Sequence, residues 1–199
     1  VISRALFGLA AHDGDVLLDG AVPDLRTPQT ALHSGIGLVA RDRTEESVAM
    51  NLSIRENTFL HPAAVGRTLL NLLSSRKEAE EAARIGGELG LSPNDPTLAI
   101  EALSGGNQQK VVIGRWLATQ RKLLICEDPT AGVDVGAKAE IYALLNAALA
   151  DGVGILVVST DFEEIATNSH RAIVFRQSQQ DEKQSGPRLP PANRNQTAT

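Results

Sequence analysis

Cysteine is almost absent from this chain of 199 residues, and so are apolar stretches long enough to cross a membrane. Cys126 is the only cysteine, which excludes an intramolecular disulfide. No secretory signal of the usual pattern opens the sequence. We therefore expect a cytoplasmic protein that would serve a membrane only through a partner.

Positive charge is also in short supply. The formal net charge is -5, and aromatic residues make up 3% of the chain, so no basic stripe interleaved with aromatics is present. This argues against a nucleic-acid partner bound by broad phosphate neutralisation. The 42% hydrophobic and 22% charged residues are ordinary for a globular domain with a sizeable core.

Segments with strand-like and helix-like patterns alternate along the chain. Apolar runs between turn residues predict strands over 16–18, 35–40, 122–126, 154–159 and 171–175. Apolar spacing predicts helices over 1–9, 53–60, 67–91, 105–119, 137–150 and 161–167. This alternation predicts an α/β fold with a parallel sheet covered on both faces. From residue 176 to 199 the composition is polar and without periodicity, which predicts a disordered tail.

The stretch "LSGGNQQK" opens directly into an apolar-periodic helix. One interpretation is purely structural, with Ser104 as a helix cap and the two glycines as a turn. The other is an anion site in which Gly105 and Gly106 let backbone N–H groups approach a phosphate. The loop alone does not decide between them.

An acidic pair, Glu127 and Asp128, follows the predicted strand "KLLIC". Open parallel sheets bind ligands at the carboxyl ends of their strands, where two carboxylates could hold Mg²⁺ and orient a water. Solvated acids at a strand end are the alternative.

Taken together, "LSGGNQQKV", the acidic pair and "PTAGVDVGAK" resemble the nucleotide-binding domain of an ABC transporter. The forms "NQQKV", "GVDVGAK", "VLLDG", "IGLVARDR" and "LSIREN" are similar to the second cassette of ribose-, galactose- and xylose-type sugar importers. The resemblance covers residues 1–175. It implies a P-loop-NTPase-like core with a small antiparallel β element and a helical subdomain over about 58–118.

The resemblance assigns roles to individual positions. Glu127 matches a metal-contacting carboxylate, here a candidate Mg²⁺ ligand, and Asp128 matches the catalytic carboxylate. The family order is Asp then Glu, so this pair is reversed. The loop that covers the phosphates of a partner cassette, called here the signature loop, is matched by Ser104, Gly105, Gly106, Asn107 and Gln108.

Three further positions belong to the same pattern. Asp134 matches the aspartate of the D-loop at the dimer interface. Thr160 stands where most cassettes have a switch histidine, and for this position we favour the structural interpretation that Thr160 caps a helix in a box with Glu163. Arg41 stands where most have the Q-loop glutamine, and a guanidinium cannot ligate a metal as an amide oxygen does.

No Gly-Lys-Ser or Gly-Lys-Thr occurs in the sequence, so the phosphate-cradling element of the family is not among these residues. We interpret the chain as a domain truncated at its N-terminus. The uncapped start of the first predicted helix favours this interpretation over genuine loss of the element.

The resulting prediction is an ATPase cassette that energises monosaccharide import, with ATP and Mg²⁺ as cofactors. Its partners would be a second cassette, a membrane permease at the inner face of the cell membrane and, indirectly, a sugar-binding protein. A non-catalytic module that only lends its signature loop is the main alternative. An ABC-type ATPase of DNA repair or translation is a third, which the acidic charge disfavours.

Overall fold

The computed structural model describes residues 2–60, 74–119 and 121–175. Among these described residues, those up to Ser169 belong to one compact unit, and residues 170–175 lie outside it. The expected tail over 176–199 and the first part of the predicted helix over 67–91 lie outside the described residues. Within the described part, every helix is too short or too polar to cross a lipid bilayer.

Helices and strands alternate in this compact unit, as the sequence pattern predicts. The helices are α1 Ile2–Leu6, α2 Pro28–His33, α3 Arg43–Glu46, α4 Ile54–Thr58, α5 Ser75–Glu88, α6 Gly105–Leu117, α7 Val135–Ala150 and α8 Phe162–Asn168, with a 3₁₀ turn at Ile100–Ala102. The strands are β1 Ile36–Val39, β2 Leu123–Glu127 and β3 Gly154–Val158.

These strands form a parallel sheet in the order β1-β2-β3, with β2 in the centre. Ile36 of β1 lies opposite Leu123, and Glu127 at the end of β2 lies opposite Val158. The carboxyl ends of all three strands therefore meet at one edge of the sheet. The expected α/β core is confirmed, and a short antiparallel bridge joins Leu18 to Ala21 across a turn.

Three predicted details are wrong. The strand expected over 16–18 is reduced to the isolated bridge at Leu18. Residues 171–175 are not a strand: they have no regular secondary structure, and their apolar side chains are exposed. A short apolar run carries no information about its pairing partner, and a strand exists only with one. Helices α2 and α3 are absent from the prediction, although Thr27 and Asp42 cap them through their side chains.

Helix α6 is buried along most of its length and packs against α4, α5, α7 and β1. Its polar side chains make contacts on several sides. Lys110 Nζ lies 3.0 Å from the carbonyl oxygen of Gly90 and 2.5 Å from Glu140 Oε2 of α7. Arg115 donates to the carbonyl oxygens of Asn57 and Ser47, at 2.7 and 2.9 Å. These bonds fix α6 relative to its neighbours, and burial lowers the pKa of Arg115 to about 10.

The contact between α5 and α6 depends on Gly114, because a Cβ there would overlap the buried Leu89 side chain. We expect Gly114→Ala to lower the free energy of unfolding by about 1 to 3 kcal/mol through overpacking. Gly87→Ala is the matched control, since nothing lies closer than 3.8 Å to a Cβ at that exposed position of α5. It should be neutral or stabilising by up to about 1 kcal/mol from helix propensity. Urea unfolding followed by circular dichroism measures both, and equal effects would contradict the packing argument.

Cys126 lies in the centre of β2, with no exposed surface, and burial raises the pKa of its thiol to about 12. We expect no reaction with a thiol reagent at pH 8 in the folded state and complete reaction in denaturant, because only the thiolate attacks. The thiol also loses its proton more readily in the unfolded chain, so the free energy of unfolding should fall as pH rises from about 9 towards 12. Rapid labelling of Cys126 in the native protein would contradict the burial of its thiol.

Candidate functional site

The residues that follow the strands collect at the carboxyl edge of the sheet. Arg41 comes shortly after β1, Asp128 directly after β2, and Thr160 shortly after β3. Parallel pairing places these chain segments side by side. The three positions that the sequence assigned to the Q-loop, the catalytic carboxylate and the switch are thus brought together.

Asp128 is the centre of this group. Its Oδ2 lies 3.2 Å from Arg41 Nε, and its Oδ1 accepts the backbone N–H of Thr160 at 3.2 Å. Its own N–H donates to the carbonyl oxygen of Val158 at 2.8 Å. The backbone of Asp128 has a φ of 42°, in the left-handed region that few non-glycine residues adopt. The bonds on both the backbone and the side chain hold it in that conformation.

Glu127 is engaged by helix α1. Ser3 Oγ donates to its Oε1 at 2.5 Å, and Arg4 donates to both carboxylate oxygens, from Nε at 3.2 Å and Nη2 at 3.0 Å. The N–H of Arg41 adds a long contact of 3.4 Å. Sequence reasoning missed Ser3 and Arg4. Their signal is weak, because a single serine and arginine on a short helix are ordinary surface residues until the helix is placed on the sheet.

Arg4 also pairs with Glu46 at the end of α3, at 2.5 and 2.8 Å. The hydrogen bond to Glu46 raises the pKa of Arg4 well above its ordinary value, and the bond to Glu127 adds to this against the effect of desolvation. Arg4 in turn lowers the pKa of Glu46. Arg4 is therefore a fixed cation held between two carboxylates.

These pairs bear on the expected Mg²⁺ ligand. Both oxygens of Glu127 accept from Arg4, and Asp128 faces Arg41, so each carboxylate is paired with a cationic side chain. Over residues 2–60, 74–119 and 121–175, no cluster of three or more His, Cys, Asp or Glu side chains is placed to hold a metal. In this arrangement each carboxylate forms an ion pair, so a divalent cation that used Glu127 or Asp128 would have to displace a guanidinium.

The signature loop begins with Ser104, which is exposed and caps α6 by accepting from the N–H of Asn107 at 3.4 Å. The Asn107 side chain donates to Ser104 Oγ at 3.0 Å and bonds the backbone of Ser92 in both directions. Gln108 is buried and donates to the carbonyl oxygens of Ile100 and Leu103, both at 3.2 Å. Asn107 and Gln108 thus support the loop through hydrogen bonds to neighbouring segments, and Ser104 is its exposed residue, followed by the half-buried Gly105.

Asp134 is exposed and caps α7 by accepting from the N–H of Ala137 at 2.9 Å. Ala137 also lies against Gly106, where an added Cβ would overlap the alanine side chain. The signature loop and the D-loop position are therefore neighbours at the starts of α6 and α7.

Thr160 does not cap α8, so the capping box with Glu163 is wrong. Asp161 is the cap and accepts from the N–H of Glu164 at 3.0 Å. The N–H of Thr160 is instead turned towards Asp128. The box motif predicted a cap one residue too early because both Thr160 and Asp161 are good capping residues.

Residues 1–131 match the family model described as "ABC transporter". The chain belongs to the ABC transporter family. It is 37% identical over 177 residues to the ribose import ATP-binding protein RbsA of Geobacillus kaustophilus, covering 88% of this chain and 36% of that protein. It is 38% identical over 179 residues to the galactofuranose transporter ATP-binding protein YtfR of Escherichia coli K12, covering 89% and 36%.

The chain thus spans about a third of the length of these two relatives. Among solved structures, a nucleotide-free ATP-binding cassette from an ABC transporter superposes with a TM-score of 0.69 at 22% identity, over 84% of this chain and 68% of that one. The ADP conformation of MJ1267, an ATP-binding cassette of an ABC transporter, gives a TM-score of 0.68 at 22% identity, over 84% of this chain and 67% of that one. These likenesses confirm the ABC ATPase fold that the sequence predicts.

The contact between Gly106 and Ala137 can be tested by a compensating pair. Gly106→Ala should lower the free energy of unfolding by about 1 to 3 kcal/mol, because the new methyl group and Ala137 cannot occupy the same space. Adding Ala137→Gly should recover part of that loss, although a glycine within α7 itself costs about 1 kcal/mol. Denaturant unfolding of the two single variants and the double variant measures the coupling. Strictly additive effects would show that the two residues do not share this space.

Proposed function

We propose that this ABC cassette supplies its signature loop to ATP held by a second cassette, and so takes part in ATP-driven import of a monosaccharide. The observation that carries the proposal is an asymmetry between its two half-sites. The signature loop has an exposed, capped and supported face. The carboxylates of the domain's own site are occupied by Arg4 and Arg41.

The exposed face of the loop suits a phosphate. Helix α6 has 13 residues, so its start carries the positive end of a full helix dipole. No acidic residue lies in its first turn to neutralise that charge. The Ser104 hydroxyl is at the same end and exposed. Such donors stabilise the charge that develops on transferring phosphoryl oxygens.

The sugar-import role rests on the relatives. Two of them are named for the import of ribose and the transport of galactofuranose. For this chain we infer a monosaccharide substrate class. The partners we propose are a second cassette, a permease to which this chain would bind at the cytoplasmic face, and a sugar-binding protein that delivers the sugar.

A non-hydrolysing form of this cassette is the second candidate, and the ion pairs of Glu127 and Asp128 favour it. In that form the chain would hydrolyse nothing at its own carboxylates, and Mg²⁺ and ATP would be held by the second cassette. The two forms differ in whether ATP is hydrolysed at the carboxylates of this chain as well as at those of the second cassette.

The test mixes the purified chain with a separately produced first cassette of a ribose-type importer and measures phosphate release. We expect turnover to appear on mixing and to fall by roughly 100-fold with Ser104→Arg, since a bulky cation replaces the exposed cap and hydroxyl at the phosphate-binding face. Ser74→Arg is the matched control, because Ser74 caps α5 in the same way through the N–H of Lys77. Both variants lose a cap worth about 1 kcal/mol, but only the first should lose activity.

Three outcomes would contradict the proposal. Equal turnover by the chain alone and by the mixture would show that it needs no partner. Equal losses in the two serine variants would assign the effect to stability. No turnover in the mixture would remove the shared site altogether.

A further inference from the structure

Helix α3 lies between the two half-sites, and its side chains reach both. It follows β1 directly and is only four residues long, Arg43–Glu46. Asp42 fixes its start by accepting from the N–H groups of Thr44 and Glu45, both at 3.1 Å. A hydrogen bond from the Thr44 hydroxyl is the main cause that lowers the pKa of Asp42, so the cap stays charged.

Arg43, the first residue of α3, contacts the signature loop. Its Nε donates to Gln108 Oε1 at 3.4 Å, and its Nη1 donates to the carbonyl oxygen of Ala131 at 3.1 Å. Its Nη2 lies against Gly105, where an added Cβ would come within 2.5 Å of it. The half-buried guanidinium therefore sits between the signature loop and the turn that leads to Asp134.

Glu46, the last residue of α3, contacts the other half-site through Arg4. Arg4 bonds Glu46 and Glu127 at the same time. A continuous series of contacts thus joins Glu127 to the signature loop, through Arg4, the backbone of α3 and Arg43. Arg41, two residues before Arg43, pairs with Asp128.

We infer that Arg43 is a positioning residue that fixes the signature loop against the turn at residues 131–132. This rests on the proposed function, because the loop is taken to act on phosphate. Arg43 fixes the side chain of Gln108, and Gln108 in turn bonds the backbone just before the loop, at Leu103. Gly105 leaves room for the Arg43 guanidinium. This glycine therefore has a packing role within the chain, in addition to the close approach of a phosphate that it would allow.

The geometry requires arginine. Two donors of one rigid, planar group bond two acceptors on different segments, the Gln108 amide and the Ala131 carbonyl. A lysine has a single terminal nitrogen on a flexible stem and cannot reproduce that arrangement. Arg43→Lys keeps the positive charge and loses the pair of hydrogen bonds that joins Gln108 to Ala131. The contribution of the charge can therefore be separated from that of the hydrogen bonds.

The first experiment uses the chain alone and measures hydrogen exchange at the amides of Asn107 and Gln108, which bond Ser104. We expect exchange about five- to tenfold faster in Arg43→Ala and in Arg43→Lys, since each loses bridging hydrogen bonds. Arg26→Ala is the control, because exposed Arg26 pairs with Asp24, two residues away, and should leave these amides unchanged. Unchanged exchange in Arg43→Ala, or full protection in Arg43→Lys, overturns the inference.

The second experiment measures ATP turnover of each variant mixed with the first cassette. Misplacement of the loop should lower kcat by up to about 100-fold, with the KM for ATP within about twofold of the parent value, because the nucleotide is held by the other cassette. An unchanged kcat in Arg43→Ala overturns the inference. If the parent mixture shows no turnover, the proposed function is wrong, and the exchange measurement alone decides the position of Arg43.

Discussion

The parallel pairing of β2 with both of its neighbours is the constraint on which the site depends. Leu124, Ile125 and Cys126 are fully buried, so both faces of β2 are packed, and a slip by one residue would exchange the side chains that pack on the two faces. With that register fixed, Val39 lies opposite Cys126 and Val158 opposite Glu127. The segments that follow β1, β2 and β3 therefore all start at the same edge of the sheet. The contact of Arg41 and Thr160 with Asp128 follows from this alignment.

Helix α6 provides the second fixed element. It is buried against neighbours on several sides, so the loop at its start inherits a defined position. Gly114 and Gly106 allow close approach to α5 and α7, respectively. Polar residues complete the placement, since Lys110 and Arg115 bond segments on different sides of the helix. A loop held in this way can present its N–H groups without reorganising, which is what makes such donors effective.

The sequence predicted the elements whose signals are local. Strands β1, β2 and β3, the long helices α6 and α7, and the loop at Ser104 all have clear apolar patterns or caps. Helices α2 and α3 were missed because they are too short to show a periodicity. The pair Thr27-Pro28 is the sequence signal that could have indicated the start of α2, since proline suits the first position of a helix. The predicted strand at 171–175 was wrong for the opposite reason, since an apolar run does not specify a partner.

The composition of the site shows where prediction from sequence ends. Positions such as Asp128, Arg41 and Thr160 were found because they belong to a motif with fixed order. Ser3, Arg4 and Arg43 were not, since nothing in the chain marks an arginine that reaches across 123 residues to Glu127. Such partners are set by packing, and packing depends on the whole fold.

The same arginines give the asymmetry of this cassette its physical basis. A carboxylate paired with a guanidinium gains a charge-assisted bond and gives up much of its affinity for a cation. Arg4 and Arg41 do this at Glu127 and Asp128. Arg43 differs from them, because its guanidinium donates to two neutral oxygens, those of the Gln108 side chain and the Ala131 backbone. The arginines beside the domain's own carboxylates thus form ion pairs, whereas the arginine beside the signature loop bridges two segments of the chain, and this contrast is the physical difference between the two half-sites.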